Sequence, residues 1–197
     1  MARLAAEGER FDLVAGASSG SICGALTVIG RAAEGPDLAR SLAATPIVSP
    51  RYLRSERSLF GLGQVVRATL ERYLPEPLLH DTEIELLVAT THARRYARTL
   101  LPRPALGEPQ PAACVIHSNR ERRDMHKVLL ASCHIPLLHA GLSRIDGEIH
   151  LDGAVSDNML LDALIARGAD KDLRDAEGRR PFDIARKSAT ELREALR

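Results

Sequence analysis

The run Phe11-Asp12-Leu13-Val14-Ala15-Gly16-Ala17-Ser18-Ser19-Gly20-Ser21 constrains this chain more than any other stretch. A short apolar segment ends in Gly-Ala-Ser-Ser-Gly, and small and apolar residues follow it. Gly-x-Ser-x-Gly between a strand and a helix is the pattern of a nucleophile elbow. At such a turn the serine sits in strained backbone and its hydroxyl projects from the end of a sheet. Gly16 and Gly20 are expected to be glycine because side chains there would collide as the chain reverses. The helix from about Ser19 starts beside the serine. Its free N–H groups and positive dipole end point to where an oxyanion would form. The same residues also suit a glycine-rich turn with no chemistry, and the motif alone leaves both readings open.

A chain of 197 residues holds one domain with a sizeable core and a small appendage. Only 3% of residues are aromatic and Trp is absent, so the 45% apolar content must pack as Leu, Val, Ile and Ala. That suits a helix-covered sheet better than an aromatic-rich sandwich. A net charge of +1 gives no argument for nucleic acid. The basic cluster Arg120 to Arg123 contains Glu121 and precedes Asp124, and reads as a solvated loop. Cys23, Cys114 and Cys133 are widely spaced and odd in number, which implies neither a metal site nor a disulfide framework. No secretion signal and no run of 18 apolar residues is visible, so a cytoplasmic location is expected.

Met1 to Arg10 reads as the end of an amphipathic helix stopped by Gly8, with a strand over Phe11 to Ala15. A helix is expected from Ser19 to Ile29, closed by Gly30, and another from Asp37 to Ala43. Pro46 and Pro50 make Thr45 to Ser58 irregular, and the apolar period of Leu59 to Tyr73 predicts a helix. Ile84 to Thr91 reads as a buried strand and Ala113 to His117 as a short one. Arg94 to Leu101 fits a strand or a helical turn equally, and Pro102 to Pro111 is a surface loop. Asp124 to Ser132 predicts a helix, and Leu142 to Leu151 a hairpin turning at Asp146-Gly147. Strands separated by helices, with one late hairpin, predict an α/β fold with a mostly parallel sheet flanked by helices.

Leu151-Asp152-Gly153-Ala154-Val155-Ser156-Asp157-Asn158 is the second candidate for chemistry. An aspartate at a strand end can aim its carboxylate across the top of a sheet, although Asp-Gly is also a common turn dipeptide. In α/β-hydrolases the partners run Ser, then Asp or Glu, then His. Here the last histidine, His150, precedes Asp152, so no triad of that order can be built. A catalytic Ser18 would therefore work with an aspartate directly. His150 reads as a surface or hairpin residue, and His134 and His139 as structural.

Three motifs in order, Gly-Ala-Ser-Ser-Gly-Ser, Leu129-Leu130-Ala131-Ser132-Cys133-His134-Ile135-Pro136 and Asp152-Gly153-Ala154, resemble the patatin-like phospholipase family over about residues 1–170. The resemblance implies a serine acyl hydrolase with a Ser-Asp dyad acting on lipid or other acyl esters, in contact with a membrane surface. Ser18 would be the nucleophile and Asp152 its base. The Ser19 N–H would be one oxyanion donor within the Gly16 to Gly20 elbow, and Gly153 and Ala154 would complete the Asp-Gly-Ala motif. No metal and no organic cofactor is implied.

The family also has a glycine-rich oxyanion loop and a first strand ahead of its elbow, and none of the 15 residues before Gly16 match them. Losing one oxyanion donor costs ~10² to 10³ in turnover. The expectation is a fragment, a product begun late, or a site completed by a partner chain. Leu164-Ile165-Ala166-Arg167-Gly168-Ala169-Asp170, with Pro181-Phe182-Asp183-Ile184-Ala185 further on, resembles an ankyrin repeat. The expected division is therefore an acyl hydrolase domain over residues 1–160 and an ankyrin-like helical hairpin over residues 161–197. The alternative to the enzyme is a catalytically impaired fragment that binds a protein partner through this end.

Overall fold

Strand β1, Leu13–Gly16, and strand β2, Glu85–His92, lie parallel, with Leu13 opposite Glu85 and Gly16 opposite Val88. The structure is a computed structural model that describes residues 10–55, 58–99, 112–136, 138–170, 172 and 178. The chain forms two compact units, Met1–Asn158 and Met159–Arg197. Between β1 and β2 come α1 (Ser19–Val28), α2 (Gly35–Ala44), the single turn α3 (Tyr52–Ser55), α4 (Leu62–Tyr73) and α5 (Glu76–His80). A parallel pair needs such a crossover because its strands enter from the same end.

After β2 come α6 (Ala93–Thr99), β3 (Cys114–Ser118), α7 (Met125–Ser132), β4 (Ser143–Ile145) and β5 (Glu148–Asp152). Strand β3 pairs antiparallel with β2 over Leu87 to Thr91, and β5 pairs antiparallel with β2 over Thr90 to His92. Strand β4 pairs antiparallel with β5. The sheet is thus mixed rather than mostly parallel. The reason is local: α6 and the β4–β5 turn return the chain near the end it left, without a crossover. The undecided segment Arg94 to Leu101 is helical through Thr99.

The pairing registers place β1 and β5 on one edge of β2. Strand β3 overlaps each of them in β2 residues, so it holds the other edge. With both edges occupied, every residue of β2 is buried. Strands β1 and β5 run toward each other along their shared edge. The first stops opposite Val88 and the second opposite Thr90, leaving only Ala89 between them.

Helix α1 packs on β1 and β2 through its small residues. A Cβ at Gly24 would lie 3.1 Å from Leu86 Cδ1 and 3.1 Å from Val14 Cγ1. Ile22, Leu26, Leu70, Leu86, Val88, Met125 and Leu129 join these layers into one aliphatic core. The hairpin turns at Asp146-Gly147, with φ of 52° and 85°. Two positive φ values match the right-handed twist of the strands, which is why Asp-Gly is favoured there.

Arg122 departs from the solvated-loop reading of its cluster. Its guanidinium donates to Asp124 at the start of α7 (2.8 and 3.0 Å) and to Asp146 in the hairpin turn (2.7 and 3.0 Å). Both carboxyls are held below their usual range by these hydrogen bonds. A side chain with five donors can join two acids that are distant in sequence, which composition does not reveal.

His150 is not at the surface. It is 4% exposed, and its Nδ1 lies 2.8 Å from Thr90 Oγ1, which also meets His117 Nε2 at 2.8 Å. Burial, with the His150 charge second, lowers the His117 pKa to about 4. Burial, with His134 second, lowers that of His139 to about 4. The unfolded chain binds protons near pH 6.5 at both rings, so their neutral burial stabilises the fold above that pH. The contribution is lost as pH falls from 6.5 toward 4. We expect stability at pH 5 to fall below that at pH 7 by on the order of 2 kcal/mol per ring, read from urea midpoints.

Among the described residues no helix is long and apolar enough to cross a membrane. In the second unit, helix α8 (Leu161–Ala166) ends in a left-handed Gly168 at φ 93°, with its N–H on the Ile165 carbonyl at 3.0 Å. The expected N-terminal helix over residues 1–9, the loop over residues 102–111 and most of the expected ankyrin-like hairpin lie outside the described residues.

Candidate active site

Ser18 is the second of the two residues between β1 and α1, and its backbone is strained, with φ 52° and ψ −132°. A non-glycine residue with positive φ persists only where its surroundings over-determine it. Three interactions do so. The Ser18 N–H donates to Ser132 Oγ at 2.9 Å. The Ser18 carbonyl accepts from Ser21 N–H at 3.0 Å and from Ser21 Oγ at 2.6 Å. Gly16 lets the chain double back: a Cβ there would lie 2.5 Å from the Gly20 carbonyl oxygen.

The expected reason for Gly20 does not hold. A Cβ at Gly20 would meet nothing within 4 Å. The close approach in the turn is between Gly16 and the Gly20 backbone, so only the first glycine is sterically required. Ser19 opens helix α1, and its N–H is one of the donors a helix start leaves without an intrahelical acceptor.

Asp152 is the last residue of β5 and is 7% exposed. Its N–H donates to the His134 carbonyl at 2.9 Å, and its own carbonyl accepts from Thr91 Oγ1 at 2.7 Å. Ala154 N–H donates to Asp152 Oδ1 at 2.8 Å, which fixes the carboxylate plane. The remaining oxygen, Oδ2, accepts from Ser18 Oγ at 2.5 Å. A serine and an aspartate 134 positions apart are thereby brought into direct contact. Gly153 allows the turn that follows, because a Cβ there would lie 2.2 Å from the Ala89 carbonyl oxygen.

The chemistry open to this pair follows from the surroundings. Ser18 is partly exposed while its carboxylate partner is buried, so a substrate can reach the hydroxyl more readily than the acid. His150 and His117 are engaged with Thr90 on neighbouring strands. Cys133 stays a thiol, its pKa pushed up to about 12 by burial and then by the Asp152 charge. Thiolates rather than thiols are nucleophiles, so Cys133 does not compete with Ser18. Among the described residues no group of three or more His, Cys, Asp or Glu could hold a metal ion.

Ser132 and the His134 carbonyl carry support that residue patterns did not assign. Both lie in Ala131-Ser132-Cys133-His134-Ile135-Pro136, within one of the three motifs that carry the family resemblance. Ser132 is fully buried, and its hydroxyl is the acceptor for the strained Ser18 N–H. Ser132→Ala would leave that donor unsatisfied. We expect a stability loss of about 1–2 kcal/mol in urea unfolding.

No curated protein matches the chain. The patatin-like phospholipase family model matches residues 1–165. That is most of the chain, and the matched span contains the strained serine, its aspartate partner and the segment that braces them. Members of this family are in general lipid acyl hydrolases, and the chain belongs to the patatin-like phospholipase family.

Proposed function

We propose that the chain is a serine lipid acyl hydrolase of phospholipase A or lysophospholipase type that works with a Ser18–Asp152 dyad. The observation that carries this reading is the 2.5 Å contact from Ser18 Oγ to Asp152 Oδ2 at a residue held in strained backbone. Asp152 takes the hydroxyl proton as Oγ attacks the acyl carbonyl. The Oγ–C bond forms while the carbonyl π electrons move onto oxygen. The Ser19 N–H and the positive end of α1 stabilise the resulting oxyanion. Asp152 then passes its proton to the leaving alcohol, and an acyl-Ser18 ester remains. Water attacks that ester, with Asp152 again as base, and releases the fatty acid.

The elbow serves this sequence because Ser18 needs no reorganisation to present its hydroxyl. A carboxylate is a weaker base than imidazole, and a short, pre-set hydrogen bond offsets part of that handicap. A fluorophosphonate probe tests the reading directly. Its phosphorus should bond to Ser18 Oγ with loss of fluoride, giving one adduct on the peptide that contains Ser18. An unlabelled Ser18, under conditions that label a known serine esterase, would rule the nucleophile out.

A further inference from the structure

A pocket of about 210 Å³ opens between α4, α7 and β4. Three cations line it, Arg67, Lys127 and Arg144, and the lining has no carboxylate. Among the described residues Arg67 makes no ion pair, and Lys127 reaches Asp124 only at 3.9 Å. Arg144 spends one donor on the Gly147 carbonyl at 2.8 Å and keeps the rest of its fork.

His139 adds an independent observation. It lines the same pocket and is 8% exposed. Ile135 N–H lies 3.1 Å from its Nδ1 and the Ile135 carbonyl 3.3 Å from the same nitrogen, so Nδ1 is served by the backbone in either tautomer and an anion at Nε2 would select the one with its proton there. Nε2 has no hydrogen-bond partner among the described residues. A buried ring nitrogen without a partner is destabilising unless something fills the place. Among the described residues, one unpartnered buried ring nitrogen and three cations, of which only Lys127 has an ion pair and that at 3.9 Å, line a small polar pocket suited to an oxyanion.

We propose that this pocket binds a phosphate group, held by Arg67, Lys127 and Arg144 and by the His139 Nε2–H. Its volume is below the ~300–1,000 Å³ of pockets that enclose drug-sized ligands, so it suits a head group rather than acyl chains. Its position links it to the dyad. The His139 ring lies 4.8 Å from that of His134, whose carbonyl accepts the Asp152 N–H. The phosphate is either the diester of a phospholipid being cleaved at Ser18 or the free anion. The first source rests on the hydrolase reading, and the second does not.

The test begins with binding and needs no turnover. Inorganic phosphate is titrated into the full chain carrying Ser18→Ala, followed by calorimetry. Saturable binding is expected, weakened at least ~10-fold when Arg67→Gln and Arg144→Gln are added. No saturable binding, or binding untouched by the two arginine changes, overturns the proposal whatever Ser18 does. Should the combined variant fail to fold, Arg67→Gln alone is used. Arg67 is exposed on α4 and should still weaken binding by roughly threefold.

The second arm separates the sources. Rates are compared on phosphatidylglycerol micelles and on an uncharged diacylglycerol, with Ser18 intact. A head-group site predicts competitive inhibition by phosphate. It also predicts a ~10-fold fall in the phospholipid-to-diacylglycerol ratio of kcat/KM in the arginine variant. Phosphate binding with an unchanged ratio retains the anion site and removes the head-group assignment.

Discussion

Ser18→Ala should lower kcat/KM on a chromogenic acyl ester by at least ~10³-fold, and Asp152→Asn by a similar factor. The two changes act on one proton transfer, so the double variant should be no slower than the slower single one. Asparagine keeps the shape of the acid. Its side-chain oxygen can still accept the Ala154 N–H that aligns residue 152, now at 2.8 Å. What it loses is the capacity to hold a proton from Ser18. A fall in rate with an unchanged thermal midpoint would therefore report chemistry and not unfolding. Wild-type rates in Asp152→Asn would remove the aspartate as base, even if Ser18→Ala were inactive.

Gly153→Ala should be the most damaging of the single-methyl changes. The added carbon would fall 2.2 Å from the carbonyl oxygen of Ala89, 2.6 Å from its carbonyl carbon and 3.0 Å from its Cβ. Two of these are backbone atoms of β2, which β3 pairs at Ala89 itself and β1 and β5 hold at Val88 and Thr90 on either side of it, so the neighbour cannot give way. We expect a loss of about 3 kcal/mol, and a thermal midpoint lower by about 10 °C. Gly20→Ala is the matched control. A Cβ there meets nothing within 4 Å, and the site is helical, so stability should stay level or rise by up to ~1 kcal/mol. Similar behaviour of the two variants would contradict the close approach of the Asp-Gly turn to β2.

Much of the scaffold was legible because it follows from short-range rules. The apolar period of Leu59 to Tyr73 became α4, starting at Leu62 once the chain had cleared Gly61. Asp146-Gly147 became a turn with two positive φ values. The run Ile84 to Thr91 became β2 with a shift of one residue. Where the reading departed, the cause was a partner far along the chain. Strand direction in a mixed sheet depends on where each connection returns. Arg122 reads as a surface cation until Asp146 stands beside it. His150 reads as a surface or hairpin residue; it lies in the hairpin strand β5, and its burial comes from β2, which supplies Thr90 as its neighbour. Ser132 had no visible task because its partner is a backbone N–H, which every residue carries.

The residues by themselves determined the local devices: a glycine-framed serine turn, a helix start beside it, an Asp-Gly hairpin and an aspartate closing a strand. Each depends on φ/ψ preferences and hydrophobic period over a few positions. Only the tertiary structure decided that the serine and the aspartate touch. Strands β1 and β5 occupy one edge of β2 from opposite directions and end on either side of Ala89. That register is chosen by burial of both faces of β2, a property of the assembled layers and not of either motif. The same packing places Ser132 under the elbow and brings Gly153 against Ala89.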